Sequence, residues 1–240
     1  MLTYEEDRHT VQDAMRVLAV IPAYNEEESL AATVNGLVAA CPDIEYLVIN
    51  DGSSDSTEQV CLENGFHHLR MPINTGLTSV FRTGMKYALK HGIDAVVQFD
   101  ADGQHLPEYI PSMSEALEQQ DADIVIASRA LAGEAPTGLR NVGSKLISWL
   151  IRTTTGAVIT DPTSGMRMYD RSMIEAFSTG FDLSPEPDTV AMLIRKGAKV
   201  TEVPAHMQER QGGTSYLDFT SSMRYMLRTC FSILMFQWFR

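Results

Sequence analysis

Two aspartates stand two residues apart in the stretch QFDADGQH, directly after a short apolar run. Asp100 and Asp102 lie on the predicted turn at a strand end, and a tight turn lets residues i and i+2 point to the same side. Carboxylate oxygens suit Mg²⁺ or Mn²⁺, and Mg²⁺ usually takes one or two carboxylates together with water and substrate phosphates. The pattern favours a divalent ion that meets a diphosphate, although such a pair also caps turns.

The next polar residues extend this pattern. Gln104 stands two residues beyond Asp102 and offers a neutral oxygen ligand or a group that orients water. His105 is expected to be structural or to support a ligand. Cys41, Cys61 and Cys230 are odd in number and lack ligand spacing, which indicates reduced thiols without a role at this site.

Alternating strands and helices must position these side chains. Apolar runs predict strands at 17–21, 44–49, 66–71, 93–99, 123–127 and 199–203, and helical patterns follow Asn25 and Asp55 and cover 75–91, 108–120, 139–153 and 187–196. Asn25 is the predicted N-cap of the first helix, with Glu28 three residues later. The alternation predicts an α/β fold with a mostly parallel central sheet and helices on both faces.

Polar residues follow four of these strands. In parallel sheets, ligands bind beyond the carboxyl ends of the strands. One rim is therefore expected to collect Tyr24, Asn25, Glu26, Asp51, Asp100, Asp102, Ser128 and Arg129.

Charge is distributed unevenly along the 240 residues. Residues 1–128 hold 6 basic and 21 acidic side chains, whereas residues 129–171 hold 6 basic and 3 acidic. The acidic total argues against a nucleic-acid partner, because phosphate backbones are bound by basic surfaces. The basic second half indicates an anionic second ligand or an anionic surface.

The two chain ends differ in character. Residues 1–15 are acidic and lack the apolar core of a secretory signal, and no run reaches the roughly 18 apolar residues of a spanning helix. Near the C-terminus, polar residues recur every three to four positions and leave a wide apolar face. A core helix or a dimer contact explains this pattern, but aromatic and basic residues without an acid after Asp218 favour a helix on a membrane surface.

Six ordered motifs together resemble bacterial family 2 glycosyltransferases, and within them the polyprenyl-phosphate sugar transferases of the dolichyl-phosphate mannose synthase type. The motifs are IPAYNEEESL (21–30), VINDGSSDST (48–57), NTGLTSVFRTGMKYAL (74–89), VVQFDADGQHLPEYI (96–110), DPTSGMRMYDR (161–171) and EVPAHMQERQGGTSY (202–216). The resemblance implies a GT-A fold with a catalytic domain at 16–216, preceded by an N-terminal extension at 1–15. The apolar face described above predicts a C-terminal amphipathic helix at 217–240.

The resemblance also implies residue roles. The implied nucleotide-binding residues are Pro22, Ala23, Tyr24, Glu26, Asp51, Gly76, Asp100 and Ala101. The implied metal ligands for Mg²⁺ or Mn²⁺ are Asp100, Asp102 and Gln104; the catalytic residues are Asp102, Arg129 and Arg210; the acceptor-binding residues are Arg129, Arg140 and Ser164. The chain departs from the family pattern at Asn50, where relatives carry an acid, and at Thr78 and Ser79, where relatives often carry glycine.

The implied activity is metal-dependent, inverting transfer of a sugar from a UDP-, GDP- or dTDP-sugar to a polyprenyl phosphate such as undecaprenyl phosphate. The enzyme would be peripheral on the cytoplasmic face of the membrane, with a membrane partner protein or a second copy as further candidate partners. A dianionic phosphate acceptor needs positive charge and no general base. Lys145 and Arg152 lie in the basic stretch but are expected to be solvated.

Two alternatives remain at this point. A saccharide acceptor in cell-wall or surface polysaccharide assembly would need a carboxylate to take its proton, and Glu186, Asp188 or Asp161 offers one. A catalytically silent subunit that binds a sugar nucleotide is the alternative from another class of protein.

Overall fold

The computed structural model describes residues 15–134, 138–180, 183–208 and 219–235. Within these ranges the strands are β1 (Val17–Ala23), β2 (Glu45–Asn50), β3 (His68–Arg70), β4 (Ala95–Gln98), β5 (Ile124–Ser128), β6 (Arg167–Tyr169) and β7 (Val200–Pro204). The α-helices are α1 (Leu30–Ala40), α2 (Thr57–Glu63), α3 (Leu77–His91), α4 (Ile110–Gln119), α5 (Gly138–Thr155), α6 (Arg171–Thr179), α7 (Pro187–Arg195) and α8 (Phe219–Met235), and a 3₁₀ turn covers Pro107–Tyr109.

One seven-stranded sheet organises the described residues, in the order β3-β2-β1-β4-β6-β5-β7. Every pairing is parallel except the two made by β6, which runs antiparallel between β4 and β5. Alternate residues of β1 enter opposite cores, with Leu18 and Val20 in one and Ala19 and Ile21 in the other. Both faces of the sheet are therefore covered, which confirms the predicted mostly parallel α/β architecture.

Strand β6 and helix α6 were absent from the sequence prediction. The strand is three residues long and includes a charged residue, so it lacks the apolar run that marks β1, β2, β4 and β5. The guanidinium of Arg167 is nevertheless buried, because it donates to the carbonyl oxygens of Pro162 and Pro185. These carbonyl partners make a buried cation tolerable here.

The predicted N-cap of the first helix is wrong. Helix α1 begins at Leu30, with Ser29 at the N-cap position. Asn25 lies in the left-handed region with φ of 56°, and its side-chain oxygen accepts from the backbone N–H of Ser54. The side chain is thus used to join two loops and is not available to cap a helix.

The C-terminal part of the described chain ends with α8, which packs against α5 and α7. In the four ranges given above, no helix combines the length and the hydropathy that crossing a membrane requires.

Helix α3 crosses β1 at a glycine. A Cβ built on Gly84 would lie 2.6 Å from both γ-carbons of Val20, which is fully buried in the sheet. Gly36, in the interior of α1, is exposed, and a Cβ there would meet nothing within 4 Å. A side chain at Gly84 would therefore overlap with Val20, whereas a side chain at Gly36 would extend into open space.

We expect the two alanine substitutions to shift stability in opposite directions. Gly84→Ala should lower the free energy of unfolding by about 1–3 kcal/mol through overpacking against Val20. Gly36→Ala should raise it by about 0.5–1 kcal/mol, since alanine costs less backbone entropy in a helix. Urea unfolding followed by circular dichroism measures both, and an unchanged midpoint for Gly84→Ala would contradict the close approach of α3 to β1.

Candidate functional site

A cleft of about 370 Å³ lies at the carboxyl ends of β1, β2 and β4. Its lining residues are Pro22, Ala23, Tyr24, Glu26, Asp51, Asn74, Gly76, Leu77, Val80, Asp100, Ala101 and Asp102. The structure thus brings together all eight residues predicted to bind the nucleotide, and it adds the second aspartate of the pair. Sequence reasoning by residue type missed Asn74, Leu77 and Val80, since only the motif at 74–89 marked that segment.

Asp51 holds one wall of the cleft in place. Its carboxylate is buried and accepts from the backbone N–H groups of Thr75 and Gly76 and from the Thr75 hydroxyl, each at 2.8 Å. Gly76 has φ of 83° at the start of α3, a conformation that favours glycine. The charge of Asp51 therefore fixes the loop before α3. Three donors already occupy the carboxylate oxygens of a residue that the resemblance assigned to nucleotide binding.

The loops after β1 and β2 are tied to each other. The backbone N–H of Asn25 donates to the Ser53 hydroxyl, and that of Glu26 donates to the Thr57 hydroxyl at 2.9 Å. The buried carboxylate of Glu26 accepts from Ser29, one turn ahead. These hydrogen bonds fix the positions of the two loops that form this side of the cleft.

Asn50 explains a departure from the family pattern. The side chain is fully buried, donates to the carboxylate of Glu58 at 2.7 Å and accepts from the backbone N–H of Ser53 at 2.9 Å. An aspartate at this position would place two carboxylates in contact with no donor between them. The Asn50 amide is therefore needed as a hydrogen-bond donor to Glu58. Glu58 also lies 3.3 Å from Nε2 of His68.

The aspartate pair has two different environments. Asp102 is 2% exposed and accepts from the backbone N–H of Gln104 at 3.0 Å, whereas the Asp100 side chain is 36% exposed. The backbone N–H of Asp100 donates to Nδ1 of His105 at 2.9 Å, so a neutral His105 carries its proton on Nε2. That nitrogen lies 3.6 Å from Asp100 Oδ2, which supports the view of His105 as a residue that orients Asp100.

Gln104 and Gly165 flank the pair. The backbone carbonyl of Gln104 accepts from the backbone N–H of Gln208, and its side-chain nitrogen lies 3.5 Å from the Gln208 carbonyl oxygen. The structure therefore turns Gln104 toward the segment after β7, and its role as a third ligand stays a prediction. A Cβ on Gly165 would lie 3.1 Å from Asp100 Oδ2, so the missing side chain leaves space beside this carboxylate.

Arg129 is already paired. Its Nε and one terminal nitrogen donate to both oxygens of Asp161, at 2.7 and 2.8 Å, and its backbone N–H also donates to that carboxylate. Burial alone would raise the pKa of Asp161, but the hydrogen bonds and charge of Arg129 outweigh it and hold the pKa below its usual value. Asp161 is therefore a fixed anion and not a general base.

Glu202 supports the same loop, a role that sequence reasoning missed. Its carboxylate accepts from the backbone N–H groups of Thr160 and Asp161, at 2.7 and 2.8 Å. Glu202 lies on β7, where β5 pairs with it, so the loop is held to the same edge of the sheet as Arg129. Ser164, in this loop, is fully buried, and its hydroxyl has no partner among the described residues.

The two remaining candidate bases contact α8. Glu186 is bonded to the Tyr225 hydroxyl, and burial raises the pKa of its carboxyl despite that hydrogen bond. Asp188 accepts from the hydroxyl of Ser232 at 2.5 Å. Both carboxylates fasten α7 to α8, and neither is among the residues that line the cleft.

Two predicted site residues lie outside the description. Arg210 is not among the described residues, and for Arg140 the structure gives the backbone at the start of α5 without the side chain. Their predicted roles therefore stay predictions.

The sequence of this chain is similar to those of known glycosyltransferases. Residues 18–177 match the model of glycosyl transferase family 2. An undecaprenyl-phosphate mannosyltransferase from Micrococcus luteus is 34% identical over 218 residues, which cover 84% of this chain and 87% of that protein. A polyprenol monophosphomannose synthase from Mycolicibacterium smegmatis is 31% identical over 238 residues, which cover 93% of this chain and 89% of that protein.

A solved structure shares the fold. It is glucosyl-3-phosphoglycerate synthase from Mycobacterium tuberculosis in complex with Mn²⁺, UDP and phosphoglyceric acid, with a TM-score of 0.69 at 17% identity, covering 93% of this chain and 78% of that one. At this identity the likeness concerns the fold, and it confirms the predicted GT-A architecture.

We expect Asp161→Asn to destabilise the protein in a pH-dependent manner. Removing the anion leaves the Arg129 charge without its partner and should cost about 1–3 kcal/mol at pH 7. Because the folded pKa of Asp161 is depressed, its contribution is complete above the unfolded value of about 3.9 and is lost as pH falls through the folded pKa. Urea unfolding between pH 7 and pH 3 should show wild type and variant converging in the acid range; a constant difference would contradict the ion pair.

We expect Asn50→Asp to lower the free energy of unfolding by about 1–3 kcal/mol, since it sets a second carboxylate against Glu58. Adding Glu58→Gln should restore most of the loss, because the new amide donates where Asn50 did. The four members of this double-mutant cycle, measured by urea unfolding, give the coupling between the two positions. Additive effects would show that the two side chains do not interact.

Proposed function

The chain belongs to glycosyl transferase family 2, and from this premise we propose that it transfers a sugar from a nucleoside-diphosphate sugar to a polyprenyl phosphate. It is a glycosyltransferase; the donor, the acceptor and the residues that serve them are the proposal. The observation that carries it is the cleft, where all the residues implied for the nucleotide meet the Asp100 and Asp102 pair. The similarity to an undecaprenyl-phosphate mannosyltransferase and to a polyprenol monophosphomannose synthase supports the choice of acceptor.

The cleft suits a nucleoside diphosphate. Pro22, Ala23 and Tyr24, at the end of β1, provide an apolar wall for a base, while Asp51 holds the loop that carries Gly76. We assign Pro22, Ala23, Tyr24, Glu26, Asp51, Gly76, Asp100 and Ala101 to donor binding. UDP-, GDP- and dTDP-sugars are the candidate donors.

Two carboxylates that line the cleft are suitable ligands for Mg²⁺ or Mn²⁺. Asp100 and Asp102 supply hard carboxylate oxygens at the end of β4, and Gly165 leaves the space beside Asp100 Oδ2 unfilled. A bound divalent ion offsets the charge that develops on a leaving nucleoside diphosphate. His105 and Gln98 orient Asp100, Gln104 is the proposed third ligand, and a Mn²⁺ complex of the fold neighbour supports the assignment.

The three carboxylates considered as general bases already have partners in the fold, and this favours a phosphate acceptor over a sugar hydroxyl. A hydroxyl acceptor needs a base, but Asp161 is paired with Arg129, and Glu186 and Asp188 bind α8. A phosphate dianion needs no base. Transfer to a saccharide is therefore the weaker alternative, and a silent subunit is disfavoured by the intact aspartate pair.

Positive charge should hold the acceptor phosphate. Arg129 is fixed by Asp161 through Nε and one terminal nitrogen, and its other terminal nitrogen, Nη1, has no partner among the described residues. We assign acceptor binding to Arg129, Arg140 and Ser164, and a catalytic role to Asp102, Arg129 and Arg210. Since a polyprenyl phosphate resides in a bilayer, we place the enzyme on the inner face of the cytoplasmic membrane, with α8 on the membrane side.

Transfer activity tests this proposal. Purified protein is incubated with Mn²⁺, undecaprenyl phosphate and one radiolabelled UDP-, GDP- or dTDP-sugar at a time, followed by extraction into organic solvent. We expect label in the organic phase with one donor, and a loss of at least about 100-fold in Asp102→Asn, because a ligand beside the leaving diphosphate is removed.

Asp43→Asn is the matched control, since Asp43 is an exposed carboxylate on the turn before β2. It should retain full activity. In a parallel incubation with an added oligosaccharide acceptor, label on the oligosaccharide and none on the lipid would favour the saccharide alternative. No transfer to either acceptor with any donor would favour the silent subunit. Unchanged activity in Asp102→Asn would remove this aspartate from the site.

A further inference from the structure

Two neighbouring helices expose large apolar side chains. On α5 these are Val142, Leu146 and Trp149, at 63, 45 and 58% exposure, and on α8 they include Leu227, Phe231 and Leu234, at 64, 56 and 49%. Both sets follow the spacing i, i+4, i+7, which places three side chains on one stripe of a helix. We name these six residues the α5–α8 platform.

Helix α8 is held in one orientation, so its stripe cannot turn into the core. Met226 packs against Gly143 of α5, where a Cβ would overlap its sulfur. On the side of α7, Tyr225 and Ser232 bind the carboxylates of Glu186 and Asp188. Ile233 of α8 is fully buried in the same apolar core as Ile147 and Ile151 of α5.

Basic side chains border the platform on both outer edges. At about 100° per residue, the stripe of α5 lies between Gly143, which faces α8, and the exposed Lys145 and Arg152. On α8 the stripe lies between Met226, which faces α5, and the exposed Arg224 and Arg228. The order across the two helices is thus basic, apolar, apolar and basic.

The charge of these helices opposes that of the whole chain. Neither α5 nor α8 contains an aspartate or a glutamate, although the chain has a formal net charge of −12. A two-fold contact between copies through this surface would set basic rims against each other. An anionic lipid surface accepts both the apolar centre and the basic edges.

We propose that the α5–α8 platform docks this protein on the surface of an anionic phospholipid bilayer, with both helices in the interfacial plane. This inference rests on the proposed function, because a polyprenyl phosphate acceptor is the reason for the enzyme to meet a bilayer. It adds the surface through which the enzyme does so. It also connects docking with the acceptor side, since Ser144 of α5 lies 3.3 Å from the Thr163 hydroxyl, which in turn accepts from Arg129. The loop of Arg129 is therefore coupled to the helix that meets the lipid.

Fluorescence of Trp149 tests the contact directly. Trp149 and Trp238 are the two tryptophans of the sequence, so Trp238→Phe leaves Trp149 as the reporter. With vesicles of phosphatidylcholine and phosphatidylglycerol we expect a blue shift of its emission and co-sedimentation of the protein, both weaker with phosphatidylcholine alone and at high salt. No shift and no sedimentation with anionic vesicles would overturn the proposal.

Matched substitutions locate the surface. Leu146→Ser with Phe231→Ser should reduce vesicle partitioning by about tenfold or more, since one apolar side chain is removed from each helix. Val38→Ser with Leu62→Ser, which alters exposed apolar residues of α1 and α2, should leave partitioning unchanged. Equal loss in both pairs would overturn the assignment, as would concentration-dependent dimers in sedimentation velocity that the first pair abolishes.

Transfer in vesicle-free buffer separates this inference from the proposed function. The acceptor there is a short-chain isoprenyl phosphate that dissolves in water. The Leu146→Ser and Phe231→Ser pair should keep wild-type transfer to it while losing vesicle binding. If the wild-type protein transfers sugar but does not bind vesicles, only the docking proposal is refuted. If it binds vesicles but transfers sugar to no acceptor, only the proposed function is refuted.

Discussion

Burial of carboxylates at one edge of the sheet is the constraint on which the rest of this structure depends. An ionised carboxylate is costly to remove from water unless donors replace the lost hydration. Asp51, Asp102 and Asp161 are 4, 2 and 1% exposed, and each accepts from backbone N–H groups, hydroxyls or a guanidinium of a loop. The loops therefore take their shapes from the need to satisfy these anions. Asp100 differs, because its side chain remains partly exposed at the cleft.

Strand β6 links the two sides of the site. Because it runs antiparallel between β4 and β5, the loop that precedes it reaches the carboxyl ends of both neighbours. Gly165 of that loop lies beside Asp100, and Asp161 pairs with Arg129 after β5. The loop before β6 is thus in physical contact with both Arg129 and Asp100, and the short strand β6 with its buried arginine holds that loop in place.

Most of this architecture could be predicted from local sequence patterns, whereas contacts between residues far apart in the sequence could not. The positions of β1, β2, β4, α3 and the aspartate pair follow from apolar runs, helix ends such as Gly92 and turn residues. The Arg129–Asp161 pair joins residues 32 apart in the sequence, and no local pattern marks it, so the prediction of Arg129 as an acceptor-binding residue did not include this partner. The N-cap prediction for Asn25 was wrong for a related reason, because its partner Ser54 comes from a loop that only the folded sheet brings near. The contact of Gln104 with Gln208 was missed for the same reason, and the role of Gln104 as a metal ligand stays a prediction.

The separation of charge along the chain has a consequence for orientation. Residues 1–128 carry the acidic excess together with most of the cleft, whereas α5 and α8 carry basic side chains without an acid. Near an anionic bilayer, within a screening length of about 8 Å at physiological salt, the acidic part is repelled and the two basic helices are attracted. Contact through α5 and α8 is then favoured before any apolar side chain inserts. The net charge of −12 repels an anionic bilayer as a whole, but its uneven distribution selects the face through which the proposed docking would occur.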